Sequence, residues 1–265
     1  MVAIFEIKKQ AVRMTLMWKW LYPYTKFESV YQICGKLFLL FAVLALLFLS
    51  IGTIWGLMYA PPDYQQGDGF RIIYIHVPSA ILSMSIYMSM ALAAFVGLVW
   101  QVQLSNMAVV AMAPIGAVFT FLALFTGSIW GKTMWGTWWV WDARLTAELV
   151  LLLLYLGVIS LHHAFNDQEV AVKISSVLAV VGVVNLPVIH FSVEWWNTLH
   201  QGATITKFEK PSISNDMLWP LLFNIFGFAF FHATIIMVRM RNEIIRKERN
   251  RLWVIELARK NVRDS

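Results

Sequence analysis

Two histidines stand out by their settings. His76 lies in Tyr74-Ile-His-Val-Pro78, and His200 closes Glu194-Trp-Trp-Asn-Thr-Leu-His200. An imidazole is a metal ligand when neutral. The chain's one cysteine, Cys34, makes no Cys-x-x-Cys pair and no internal disulfide. Two histidines this far apart do not complete a closed zinc site, which takes four protein ligands. They suffice as the two axial ligands of one haem, whose porphyrin supplies the other four. Pro78 suits the first turn of a helix, placing His76 near a helix N-terminus that favours the neutral ring. His162, His163 and His232 read more simply as interfacial or helix-contact residues. His190 stays open between such a role and support of a ligand.

Between these histidines, five tryptophans fall within twelve residues, Trp130 to Trp141. Membrane proteins carry tryptophan belts at their interfaces. A belt accounts for Trp55, Trp100 and Trp219 but not readily for so dense a cluster. Read as a helix, Trp135, Trp138, Trp139 and Asp142 fall at i, i+3, i+4 and i+7, on one face. Indoles give broad contact at low rotamer cost, so this face suits a wide planar aromatic ligand. Gly131 and Gly136 leave room for bends. Asp142 is a candidate to orient a ligand histidine through its second ring nitrogen, or to cap the following helix. Arg71, Lys132 and Arg144 are the nearby cations. Arg71 and Arg144 suit the propionates of a haem, while Arg144 also stands four residues before Glu148, the spacing of a helical ion pair.

The elements that must position these residues are membrane helices. Of 265 residues 59% are hydrophobic and 14% charged, whereas soluble domains carry about 25% charged residues. Mean hydropathy is +0.65. Six stretches, about 37–59, 79–100, 107–129, 145–165, 174–193 and 217–238, are long and apolar enough to span a bilayer. The expected fold is therefore all-α and polytopic, with six transmembrane helices. No cleaved signal peptide is expected. The net charge of +6 does not indicate nucleic acid, because the basic residues sit in two terminal blocks. Six precede or open the first span, nine lie in 239–263, and the remaining segments share six. Both termini are thus expected in the cytoplasm, and residues 60–78, 130–144 and 194–216 on the outer side. The expected organisation is a cytoplasmic arm 1–36, a membrane domain 37–238 with its tryptophan-rich loop at 130–144, and a basic amphipathic tail 239–265. That tail is either a surface-lying helix in contact with lipid or an extension of the last span.

Trp-Gly-Thr-Trp-Trp-Val-Trp-Asp-Ala-Arg-Leu-Thr, residues 135–146, resembles the tryptophan-rich "WWD" signature of haem-handling membrane proteins. With the segments around His76 and His200, the chain from about 18 to 255 is similar to the cytochrome c maturation, or haem exporter, protein C family. The resemblance implies a bacterial inner-membrane protein with the signature loop in the periplasm. It implies that His76 and His200 ligate haem b transiently, with the indoles of Trp135, Trp138 and Trp139 against the porphyrin. It implies a task, namely presenting haem to a periplasmic haem chaperone that takes it on its own histidine. Its implied partners are ATP-binding-cassette half-transporter subunits and a small single-span membrane subunit. Larger relatives that attach haem to apocytochrome c are longer than this chain.

No nucleophile, acid–base pair or phosphate loop is apparent, so a non-enzymatic transfer component is expected. Two other classes remain. An electron-transfer cytochrome b would pair histidines deep in facing spans. A solute transporter would show polar or broken helices at the midplane, and Glu148 and the Asn185–Pro187 interruption of span five leave that open.

Overall fold

The computed structural model describes residues 26–196, 198–200, 202 and 210–264. Most of the expected cytoplasmic arm, with Trp18 and Trp20, lies outside them, as do Asn197, Gln201 and Lys207. The described residues are all-helical, with six helices long and apolar enough to cross a membrane. The first, α1 (Phe27–Ile54), starts earlier than the expected residue 37 and ends in a π-helical turn, Trp55–Tyr59. A 3-10 turn, Asp68–Ile72, leads into α2 (Ile73–Trp100). Then follow α3 (Gln103–Trp135), α4 (Ala143–Ala164), α5 (Gln168–Val181), a 3-10 turn Gly182–Val184, and α6 (Asn185–Trp195). The last span, α7 (Asn215–Glu248), runs past the expected limit of 238, and a separate helix α8 (Leu252–Asp264) follows. The tail is thus both a continuation of the span and a helix of its own.

The core lies among α2 to α6, around Tyr87, Met90, Leu151 and Tyr155. Tyr87 and Tyr155 meet edge to face at 5.0 Å, an arrangement favoured by the ring quadrupoles. The Tyr155 ring fits because Gly116 on α3 has no side chain there. Its hydroxyl donates to the Ser83 carbonyl at 2.8 Å, since a buried phenol needs a partner. Outside this core, α1 packs chiefly along α7, which in turn leans on α2 and α3.

Three prolines lie inside spans: Pro78 in α2, Pro114 in α3 and Pro220 in α7. Each removes one backbone N–H and frees the carbonyl four residues earlier. At Pro114 that carbonyl is Val110's. Arg239 of α7 donates to it at 3.5 Å and to the Ala111 carbonyl at 2.9 Å, which ties α7 to the proline turn of α3.

Span five is two helices. The 3-10 turn at Gly182–Val184 separates α5 from α6, and Pro187 falls in the first turn of α6. Asn185 then donates to the Ala147 carbonyl of α4 at 2.8 Å. The upper half of span five is thereby held on α4. Among the described residues α2 packs along α3, α5 and α7 but not along α6.

Candidate functional site

One end of the bundle carries a cavity of about 210 Å³ walled by α2, α3, α4, α6 and the segment around His200. Both singled-out histidines line it, but from different settings. The sequence put His76 in a loop before the second span. The structure places it inside α2, because the 3-10 turn Asp68–Ile72 starts the helix early. Pro78 consequently lies within the helix rather than opening it. His200 lies in an irregular segment between α6 and α7.

Each imidazole is braced in the same manner. Thr126 of α3 donates its hydroxyl proton to the Leu122 carbonyl at 2.6 Å. Its oxygen is therefore an acceptor toward His76 Nδ1, 3.1 Å away. This assigns the proton to Nδ1 and leaves the Nε2 lone pair of His76 free. An edge-to-face indole, Trp130 at 5.5 Å, holds the same ring. Gly127 makes the close approach possible, since a Cβ there would stand 2.9 Å from the His76 ring.

At His200 the oxygen is Asp142 Oδ2, 3.5 Å from Nδ1, and the indole is Trp135, edge to face at 5.0 Å. Asp142 Oδ2 and His200 Nδ1 are both buried and have no hydrogen-bond partner among the described residues, so at this separation they face each other as an ion-pair contact. The other carboxylate oxygen accepts from Leu145 N at 2.8 Å and caps α4. Both roles considered for Asp142 thus meet in one carboxylate. Burial pushes this carboxyl up, but the His200 ring, the Leu145 N–H and the Arg144 guanidinium outweigh burial and hold it below its usual value. An ionised Asp142 draws the His200 proton to Nδ1 and again leaves Nε2 free.

The tryptophans divide. Trp130 and Trp135 are on the cavity wall, whereas Trp138, Trp139 and Trp141 are not. The expected single face of Trp135, Trp138, Trp139 and Asp142 does not form, because α3 ends at Trp135 and Gly136 turns the chain with φ +75°. Only glycine takes that conformation without cost. Lys132 Nζ donates to the Gly136 carbonyl at 3.0 Å, and Ser128 Oγ to the Trp138 carbonyl at 2.7 Å. The loop therefore folds back along α3 and presents Asp142 to His200. Trp138 and Trp141 remain exposed, and Trp139 and Trp141 meet edge to face at 5.4 Å.

Arg144 is on the cavity wall, but the expected pair with Glu148 is absent. Its guanidinium reaches across to α6, donating to the Ile189 carbonyl, Ser192 Oγ and the His190 carbonyl at 3.2–3.3 Å. Glu148 lines the cavity floor and accepts from Ser83 Oγ at 2.7 Å. Arg71 does not reach the wall. It is held by Asp68 at 2.9 Å and by the Gly56 carbonyl at 2.8 Å, and so fixes the start of α2 to the end of α1. Ring contacts put His162 beside His163, away from this site. His190 does line the cavity.

Gly127 and Trp130 on the wall, with Thr126 behind His76, were not among the site residues expected from sequence. With Ala123, Met134 and Trp135 they make a stripe of 3.6-residue period, visible once α3 is extended to Trp135 rather than stopped at 129.

A profile of the family described as "Heme exporter protein C" matches residues 20–255. The chain belongs to the haem exporter protein C family. It is 59% identical over 242 residues to "Heme exporter protein C" of Haemophilus influenzae, covering 91% of this chain and 98% of that protein. It is 58% identical over 247 residues to the protein of the same description from Escherichia coli K12, covering 93% and 100%. A more distant likeness, 44% over 193 residues and covering 73% and 80%, is to a "Putative cytochrome c biosynthesis ccmC-like mitochondrial protein" of Marchantia polymorpha. The sequence segments singled out above reach the cavity wall through His76, Trp135, Arg144 and His200.

Proposed function

We propose that this protein holds haem at the outer face of a bacterial inner membrane and passes it to a periplasmic haem chaperone during c-type cytochrome biogenesis. One observation carries the reading: two imidazoles from separate elements line one cavity, each with an oxygen facing Nδ1, at 3.1 Å for His76 and 3.5 Å for His200, which leaves Nε2 for iron. The donor set fits haem iron, which supplies two axial positions for neutral nitrogen ligands. The indoles of Trp130 and Trp135 fix the ring planes. Arg144 stands on the wall for a propionate, while Arg71, engaged by Asp68 and Gly56, serves the scaffold instead. In this reading both termini are cytoplasmic, as the charge distribution requires.

Release follows from the asymmetry of the two histidines. His76 is held within a packed helix, and His200 is borne on an irregular segment. His200 is therefore the ligand that yields to an incoming chaperone, while His76 retains the iron until transfer. Exposed Trp138 and Trp141 beside the cavity offer the chaperone an aromatic landing surface. The ATP-driven half-transporter and a small single-span subunit act beside the chain, and no reaction is catalysed within it.

The test is transfer in vitro. The haem-loaded protein is mixed with apo-chaperone, and haem on the chaperone is followed over time. Variant His200→Ala should load poorly and release what it holds faster, whereas His76→Ala should fail to retain haem. Equal loading and equal transfer by both variants would refute the assignment.

A further inference from the structure

Of the four helices around the cavity, α2 packs on α3, α3 on α4, and α4 on α6, but α2 and α6 do not pack along each other. The ring is weakest at that seam. Two local features accompany it: a 3-10 turn at Gly182–Val184 interrupts span five, and Asn185 holds the half beyond it on α4. Before that turn α5 packs on α2.

The seam lies at membrane depth. The cavity wall on α2 runs from Ile73 to Met84, a rise of about 16 Å at 1.5 Å per residue. That is about half of a 30 Å hydrocarbon core. Val77, Ile81 and Met84 line the cavity from α2, Ile189 and His190 from α6. On the same two spans the apolar side chains of Met88 and Val184 are exposed, the latter 75%. The cavity's volume of about 210 Å³ falls below the roughly 300–1,000 Å³ of enclosed small-molecule sites. A porphyrin gripped there must project through an open side.

We infer that the break in span five leaves a lateral mouth between α2 and α6, through which the porphyrin passes edge-on between the bilayer and the cavity. This rests on the haem reading above. It adds a route: the cargo in lipid reaches the histidines sideways, separately from the cavity's opening to the aqueous face. The exposed imidazole of His190 makes no hydrogen bond among the described residues, and its ring meets Phe191 edge to face at 4.7 Å. It stands at the mouth as a transient ligand for iron on the way in.

The test closes the mouth reversibly. In the full-length chain with Cys34→Ser, the pair Ile81→Cys and His190→Cys is bridged with a bis-methanethiosulfonate in proteoliposomes. Haem is offered either dissolved in the vesicle lipid or bound to albumin in the buffer. The bridge should slow uptake from lipid by about tenfold or more, leave uptake from albumin unchanged, and be reversed by reductant. Unchanged uptake from lipid, or equal slowing from both sources, overturns the mouth while leaving the ligand assignment standing. An unbridged chain that takes haem from neither source overturns both. The single variant His190→Ala should slow uptake from lipid without altering the final visible spectrum. An unchanged rate removes the role of His190.

Discussion

Replacing Asp142 by Asn separates the two tasks of one carboxylate. Oδ1 accepts from Leu145 N at 2.8 Å and caps α4, a duty that Asn performs about as well as Asp. Oδ2 faces His200 Nδ1 at 3.5 Å, and an amide offers no charge to hold that ring's proton. Loss of such a partner behind a metal-ligating histidine costs about 10–100-fold in affinity, or about 1.4–2.7 kcal/mol. Asp142→Asn should therefore weaken haem binding by that factor with the fold intact. Asp142→Ala should add about 1 kcal/mol of lost capping. The sign with pH follows from the depressed Asp142 value. Its ionic contribution to stability is complete above the ordinary carboxylate range and is lost as pH falls through the lower folded value. The stability gap between wild type and Asp142→Asn should thus hold at neutral pH and close in acid. Haem titration by visible absorbance, with urea or thermal unfolding in detergent, measures both. Wild-type affinity in a folded Asp142→Asn protein would refute the orienting role.

Gly127→Ala places a Cβ 2.9 Å from the His76 ring and should abolish low-spin haem binding while circular dichroism stays near wild type. Thr126→Val removes the acceptor of His76 Nδ1 and should weaken haem binding by about tenfold, one hydrogen bond near a metal ligand, with Thr126→Ser restoring it. Trp130→Ala and Trp135→Ala should lower haem content in purified protein, whereas Trp138→Ala and Trp141→Ala, whose rings are off the cavity wall, should keep haem and slow only its transfer to the chaperone. Arg239→Ala leaves the Val110 and Ala111 carbonyls without their side-chain donor and should destabilise the protein by about 1–3 kcal/mol, read from its denaturation midpoint.

The spans were legible because twenty-residue apolar runs leave little alternative, and the histidine pair because its motifs are unusual. Their surroundings were not. His76 looked like a loop residue because Pro78 resembles a helix start. The fact that decides otherwise is the hold of Arg71 on Asp68 and Gly56, fifteen residues apart in the latter case. The tryptophan stripe looked like one helix because i, i+3, i+4, i+7 spacing carries no information about the φ of Gly136. Arg144 and Glu148 had the spacing of an ion pair, but each found a partner on another helix, Ser192 and Ser83. Thr126 and Asn185 gave no local signal at all. Their bonds to His76 and to the Ala147 carbonyl join residues 50 and 38 apart in sequence, and only packing brings them together.

The most direct measurement is the visible and electron paramagnetic resonance spectrum of the haem-loaded protein beside its His76→Ala and His200→Ala variants. Two imidazoles sharing one iron give a low-spin spectrum. Each substitution should turn it high-spin or empty the site, and added imidazole should bring the low-spin form back. A low-spin spectrum and full haem content surviving in both variants would contradict the shared grip.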